Sequence, residues 1–274
     1  MRFYDQHSHT TFSPDARMSV EEAVVKLKDS DILVGLAITD HLDLDPPIHP
    51  TRFILDVEAQ QKEIARVGKE LKGFSVKLFR GVEVGLQPHS IEHSIQYLEN
   101  FSFDVVIASL HFIDMYDPYR GVYFENKEWK NAFSHALETI YQTITEFKDF
   151  DIVGHFDYVA RYSPYEVKDI FYKDFPEELD AILKYLADNG KALEINTKTY
   201  DLHPNGHRQI LDKDILRRFK EVGGEYVTLG SDAHSAQRIG HNFVETWDII
   251  KQAGFDRLTY FENRKAHLYN PEIL

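Results

Sequence analysis

Leu33-Val34-Gly35-Leu36-Ala37-Ile38-Thr39-Asp40-His41 is the stretch on which the reading of this chain turns. Six apolar or small residues run without a polar break, as in a strand buried on both faces rather than one alternating between core and water. Two residues able to carry chemistry follow Thr39 at once. The same design recurs on either side. Segments at 3–7, 76–84, 105–110, 152–155, 192–195 and 226–230 are rich in Val, Ile, Leu or Phe and bounded by Gly, Asp or Asn. Helical patterns lie between them. Ser19-Val20-Glu21-Glu22 spells a capping box that opens a helix to about Lys28. The stretches 53–72 and 129–147 are amphipathic. Pro176 suits the first position of a helix running to Asp188 before Gly190, and a helix over 212–222 ends at Gly223-Gly224. Alternating strand and helix predict an α/β fold with a parallel sheet. Seven such units predict a closed or nearly closed barrel, with an open doubly wound sheet as the competing arrangement.

Composition narrows the chemistry. The 274 residues are 43% hydrophobic, enough for a substantial core, and no internal repeat or linker-like tract divides them, so one domain over 1–274 is expected. Cysteine is absent, which excludes disulfides, thiolate metal sites and cysteine nucleophiles. Any metal must be held by nitrogen and oxygen. The start, MRFYDQHSHT, has no apolar stretch of signal-peptide length, and no run approaches the roughly 18 apolar residues of a membrane span, so a cytoplasmic location and no membrane partner are expected. A net charge of −14 speaks against binding long nucleic acid, while leaving a small anionic substrate open to the local field of a site.

The polar residues at the strand ends carry the functional signal. His7 and His9 end the first segment, Asp40 and His41 follow the second, and Glu83 ends the third. His111 follows the fourth, His155 ends the fifth, Glu194 and Asn196 end the sixth, and Asp232 and His234 follow the seventh. In a barrel these carboxyl ends converge on one face. His7 and His9, two apart, point to the same side, as do Asp232 and His234. Alone, a His-x-His pair among fourteen histidines is a weak signal that reads first as packing, and an Asp after a strand reads as a cap or turn. Seven successive strand ends in Asp, Glu or His point instead to a shared metal centre.

The succession His7-x-His9, Thr39-Asp40-His41, Gly81-Val82-Glu83, Ser109-Leu110-His111, Gly154-His155 and Ser231-Asp232-Ala233-His234 resembles the PHP (polymerase and histidinol phosphatase) family across essentially the whole chain. Gly154-His155-Phe156-Asp157, Leu193-Glu194-Ile195-Asn196-Thr197 and Ser231-Asp232-Ala233-His234-Ser235 resemble its histidinol-phosphate phosphatase branch. The resemblance implies a distorted seven-stranded (β/α)7 TIM-like barrel holding two or three divalent ions. It implies that His7, His9, Glu83 and Asp232 bind a first ion, and that Glu83 bridges to a second held by His111 and His155. A third is then held by His41, His234 and Asp15. Asp15 stands where some members have His, and in Ser13-Pro14-Asp15-Ala16 it reads also as a turn residue. Histidine and carboxylate accept Zn, Mn and Fe alike.

The implied activity is hydrolysis of L-histidinol phosphate to L-histidinol and phosphate, a step of histidine biosynthesis. A hydroxide bridging two ions about 3.5–4 Å apart would attack phosphorus directly, and Glu83 and Asp232 would act by holding that centre. Arg161 is the first candidate for a phosphate clamp, because a guanidinium binds two oxygens at once; a surface salt bridge is its other reading. Lys198, His203, His207, Arg208 and Arg238 are further candidates in the loops after strands six and seven. Asp40 or a metal-bound water would protonate the leaving alkoxide. Glu194 and Asn196 would orient metal ligands or bind the substrate's amine, and Asp157, Glu194 or Asp201 would complement a cationic alcohol. The aromatic stretch 116–129 is either a lid or packing. The competing functions are phosphoester hydrolysis of mononucleotides or other small esters, a catalytically silent metal-binding module, and a metal-dependent amidohydrolase.

Overall fold

The computed structural model describes residues 1–47, 53–166, 169–201 and 208–274. Its strands in chain order are β1 (Phe3–Asp5), β2 (Leu33–Ile38), β3 (His41–Asp43), β4 (Lys77–Gly85), β5 (Val105–Ser109), β6 (Ile152–Val153), β7 (Ala192–Asn196) and β8 (Val227–Gly230). Seven of them pair in parallel along the path β1-β2-β4-β5-β6-β7-β8, and β3 lies beside the carboxyl half of β4. The two ends of the path meet. Ser8 bridges Ala233 in parallel, Gln6 N–H donates to Leu229 O, and Asp232 N–H donates to His7 O. The barrel is therefore nearly closed and the open sheet is excluded. All six residues of β2 are buried, as its unbroken apolar run requires.

The described helices are α1 (Val20–Asp29), α2 (Val57–Val67), α3 (Ile91–Leu98), α4 (Trp129–Glu146), α5 (Tyr158–Arg161), α6 (Pro176–Asp188), α7 (Lys213–Glu221) and α8 (Phe243–Gln252). In α1 the predicted capping box forms: Ser19 Oγ accepts from Glu22 N–H at 3.1 Å and the Glu22 carboxylate accepts from Ser19 N–H at 2.8 Å. Its Val20, Ala23, Val24 and Leu27 form one buried stripe. The amphipathic stretch 53–72 becomes a shorter helix than expected. Asp56 caps it by accepting from Ala59 N–H, and Gly68–Leu71 tightens into a 3-10 turn. Among the described residues no helix is long and apolar enough to cross a membrane.

A hairpin of β9 (Leu258–Glu262) and β10 (Lys265–Tyr269) was not anticipated. It turns through Asn263 and Arg264, both left-handed at φ 52° and 61°, the conformation of a tight two-residue turn. Phe261 N–H donates to the Gln6 side chain at 2.7 Å, and Tyr260 stacks on Tyr4 at 3.9 Å. Lys77, Asp104 and Asp151, all at strand starts, bind Glu262, Asn263 and Arg264. The hairpin thus covers the amino ends of the strands and leaves the carboxyl ends for chemistry.

Candidate metal centre

Glu83 is the hub. It is wholly buried on β4, and its Oε1 lies 3.2 Å from His7 Nε2, 3.2 Å from His111 Nε2 and 2.8 Å from His155 Nε2. Its Oε2 lies 3.4 Å from His9 Nε2 and 2.7 Å from His41 Nδ1. Asp232 Oδ1 is 3.5 Å from both His9 Nε2 and His234 Nδ1. Asp15 Oδ2 is 3.6 Å from His41 Nε2 and 3.4 Å from His234 Nε2. The structure brings all nine expected ligands into one cluster. Within it the triads His7-Glu83-His155, His7-His9-Asp232, His9-His41-His234 and His41-Asp43-His111 each place three donor atoms within 4.8 Å of one another.

The donor set suits a divalent cation. Among the described residues, Glu83 Oε2, His41 Nδ1 and His155 Nδ1 are buried without a hydrogen-bond partner. Burial works to raise the Glu83 carboxyl, yet His7, His111 and His41 hold it well below the usual carboxylate range. Burial, with His41 and His234 alongside, holds His9 well below the usual imidazole value, so its lone pair is available. Nitrogen and oxygen donors converging with unshared lone pairs in a cysteine-free pocket match Zn, Mn or Fe.

Outer partners set the rings. His7 Nδ1 meets Glu194 Oε1 at 2.7 Å and His111 Nδ1 meets Asp43 Oδ1 at 3.0 Å. Ser13 Oγ donates to Asp40 at 2.8 Å, so its lone pair faces His9 Nδ1–H at 3.1 Å and leaves His9 Nε2 pointing inward as an acceptor. Two strand-end glycines make room for this shell: a Cβ on Gly230 would overlap the Glu194 carboxylate, and one on Gly85 would overlap Asp43. Asp232 itself is left-handed, at φ 49°, the kind of strained backbone that collects at functional sites. Ser13 and Asp43 escaped the sequence reading. Asp43 had a signal, since it stands two residues after His41 and so points to the same side.

Other expected residues fall differently. Asp40 is fully buried and accepts from Thr10 N–H, Thr10 Oγ1, Ser13 Oγ and Gln60 Nε2, so it is committed to structure and does not line the cavity as a proton donor would. Glu194 sits behind His7, also accepting from His155 N–H and Asn196 Nδ2, which favours orientation over amine binding. Asp201 pairs with Arg238, and Arg208 with Glu245, away from the cavity. Asp157 accepts from Thr199 and Tyr200 rather than facing a substrate. Arg161 is buried, not a surface ion pair, and its Nη1 lies 3.0 Å from Asp232 Oδ2; Lys198 Nζ lies 3.1 Å from Asp232 Oδ1. His203 and His207 lie outside the described residues. The cavity over the cluster is walled by Phe53, Phe112, Tyr158 and Tyr162, with Asp117 among them. Phe112 and Asp117 come from the long loop after β5, which therefore contributes to the site wall.

Comparison with known proteins follows the same lines. The PHP domain family model matches residues 5–198. A histidinol-phosphatase of Lactococcus lactis subsp. lactis is 33% identical over 270 residues, covering 97% of this chain and 96% of that one. A crystal structure of histidinol phosphate phosphatase from Lactococcus lactis subsp. lactis, complexed with zinc, L-histidinol and phosphate, superposes with a TM-score of 0.88 at 31% identity, covering 97% of this chain and 99% of that one. A second solved structure, from Listeria monocytogenes, has a TM-score of 0.73 at 22% identity over 88% of this chain and 99% of that one, a likeness of fold alone.

Proposed function

The chain belongs to the PHP domain family, and from that premise we propose that it is a metal-dependent phosphatase that hydrolyses L-histidinol phosphate to L-histidinol and phosphate. One observation carries the reading: buried imidazoles and carboxylates converge on Glu83 directly beside the cationic groups of Arg161 and Lys198. We take 1–274 as one PHP-type domain, since β8 closes the barrel that the matched segment begins and the hairpin covers its amino ends. His7, His9, Glu83 and Asp232 would hold one ion, Glu83, His111 and His155 a second, and Asp15, His41 and His234 a third. When bound, such ions supply Lewis acidity and render water nucleophilic near neutral pH.

The chain's own groups do the rest. Arg161 and Lys198, now drawn to Asp232, would meet a phosphate dianion beside it, the guanidinium through Nη1 and the ammonium as a point charge. The walls Phe53, Phe112, Tyr158 and Tyr162 suit a flat imidazole. Asp117 Oδ1 accepts from Tyr119 N–H and Tyr158 Oη, which leaves Oδ2 to take the ammonium of an amino alcohol. The uncharged nucleoside of a mononucleotide offers that carboxylate no cation to pair with. Glu83 and Asp232 act by shaping the centre.

The test is phosphate release by metal-loaded protein, with Zn, Mn or Fe, from histidinol phosphate, p-nitrophenyl phosphate and a mononucleotide. Histidinol phosphate should be turned over far faster than the others. Comparable or poorer turnover of it overturns the substrate assignment.

A further inference from the structure

We propose that Thr199 and Asp157 are positioning residues that set the Arg161 guanidinium, and with it Lys198, for a phosphate group. The inference rests on the reading of the cavity as a phosphate-ester site. It goes beyond that reading by assigning work to two side chains that touch neither the cluster of ligands nor the cavity centre.

Arg161 sits at the end of α5, a helix of only four residues, too short to impose an orientation on a long side chain. Its fork is nonetheless pinned. Nη2 donates to Asn196 Oδ1 at 3.1 Å and to Thr199 Oγ1 at 2.9 Å. A threonine hydroxyl has one proton, and here Asp157 Oδ1 takes it at 3.1 Å. The hydroxyl lone pairs are thereby turned toward Arg161, and a hydroxyl already donating to a carboxylate is the stronger acceptor. Both Nη2 protons are thereby committed, while Nη1 faces Asp232 and Nε–H is buried with no partner among the described residues. Anchoring Nη2 leaves Nη1, the nitrogen that faces Asp232, to serve the site.

Asp157 holds more than one residue. Its Oδ2 accepts from Tyr200 Oη at 3.0 Å, so it grips two successive residues of the turn that follows β7. That turn carries Lys198, whose ammonium meets Asp232 from the other carboxylate oxygen. Thr199, Tyr200, Asp157 and Arg161 are all buried, so water does not compete for these bonds. One buried carboxylate therefore registers the turn bearing the lysine against the helix bearing the arginine. Two cations from different elements then converge on one spot.

The experiment uses the full metal-loaded chain. Thr199→Val removes the hydroxyl with little change of shape, and Thr199→Ser retains it. Inorganic phosphate is titrated calorimetrically into each, alongside steady-state kinetics, zinc content and thermal midpoint. In Thr199→Val the phosphate dissociation constant should rise about tenfold with zinc content unchanged, and Thr199→Ser should bind as the parent does. Added to Arg161→Lys, Thr199→Val should have almost no further effect, because the group it serves is gone. Unchanged phosphate binding in Thr199→Val, or a full loss repeated in the Arg161→Lys background, overturns the inference. Asp157→Asn should reproduce the Thr199→Val phenotype; should that variant not fold, the threonine pair decides the matter alone. If the parent protein binds no phosphate, the reading of the cavity fails first; if it binds and Thr199→Val matches it, only the positioning role fails.

Discussion

Glu83 meets His7, His41, His111 and His155 in the barrel mouth, and this single contact set shapes the electrostatics of the site. In metal-free protein, burial works to lower the His41 imidazole, but Glu83 and Asp15 outweigh it and raise its pKa to about 10. His7 and His111 are held well above 6.5 by carboxylates that likewise overcome burial. The folded state then keeps protons that the unfolded chain has released above about pH 6.5, so stability is lost as pH rises through the folded values. Burial lowers His9 and His155, and these act in the opposite sense, costing stability as pH falls below about 6.5. The denaturation midpoint of chelator-treated protein should therefore decline from about pH 6.5 toward pH 10; a rise over that range contradicts the assignment. Glu194 makes a second prediction. It orients His7 from behind, so Glu194→Gln should weaken zinc binding about 10–100-fold in a chelator competition.

At the level of elements, the strand ends supply the candidate ligands and the residues flanking them supply clearance. Gly230→Ala would drive a methyl into the Glu194 carboxylate and the His7 side chain. The expected outcome is a protein with retained far-UV circular dichroism and sharply reduced zinc content. Helix α1 is a contrast, since its capping box lies on the exterior, away from the metal cluster. Ser19→Ala should cost about 1 kcal/mol in a denaturant titration and leave kcat unaltered. Two of the elements missed in the sequence share a reason. Strand β3 has three residues, two of them charged or titratable, and helix α5 has four, so neither is long enough to establish a period. Both owe their existence to the barrel around them, and both carry functional groups.

For the molecule as a whole, metal binding and folding are coupled, because the cluster joins β3, β4 and the segments after β1, β5, β6 and β8. Zinc at 100 times its dissociation constant should stabilise the protein by about 2.7 kcal/mol per site, read as a higher thermal midpoint that chelator reverses. An unmoved midpoint would mean that the cluster does not take up the ion in the folded state. By itself the order of residues determined the alternating strands and helices, the run of ligands at strand ends and the cysteine-free donor chemistry, because hydrophobic period and residue type are local properties. Tertiary structure alone decided that β1 closes on β8, that Asp40 steadies Ser13 instead of facing substrate, and that Asp117 enters the site. A side chain's partners lie tens or hundreds of residues away, and only closing the barrel settles which carboxylate meets a cation, which meets a histidine, and which turns inward to hold a loop.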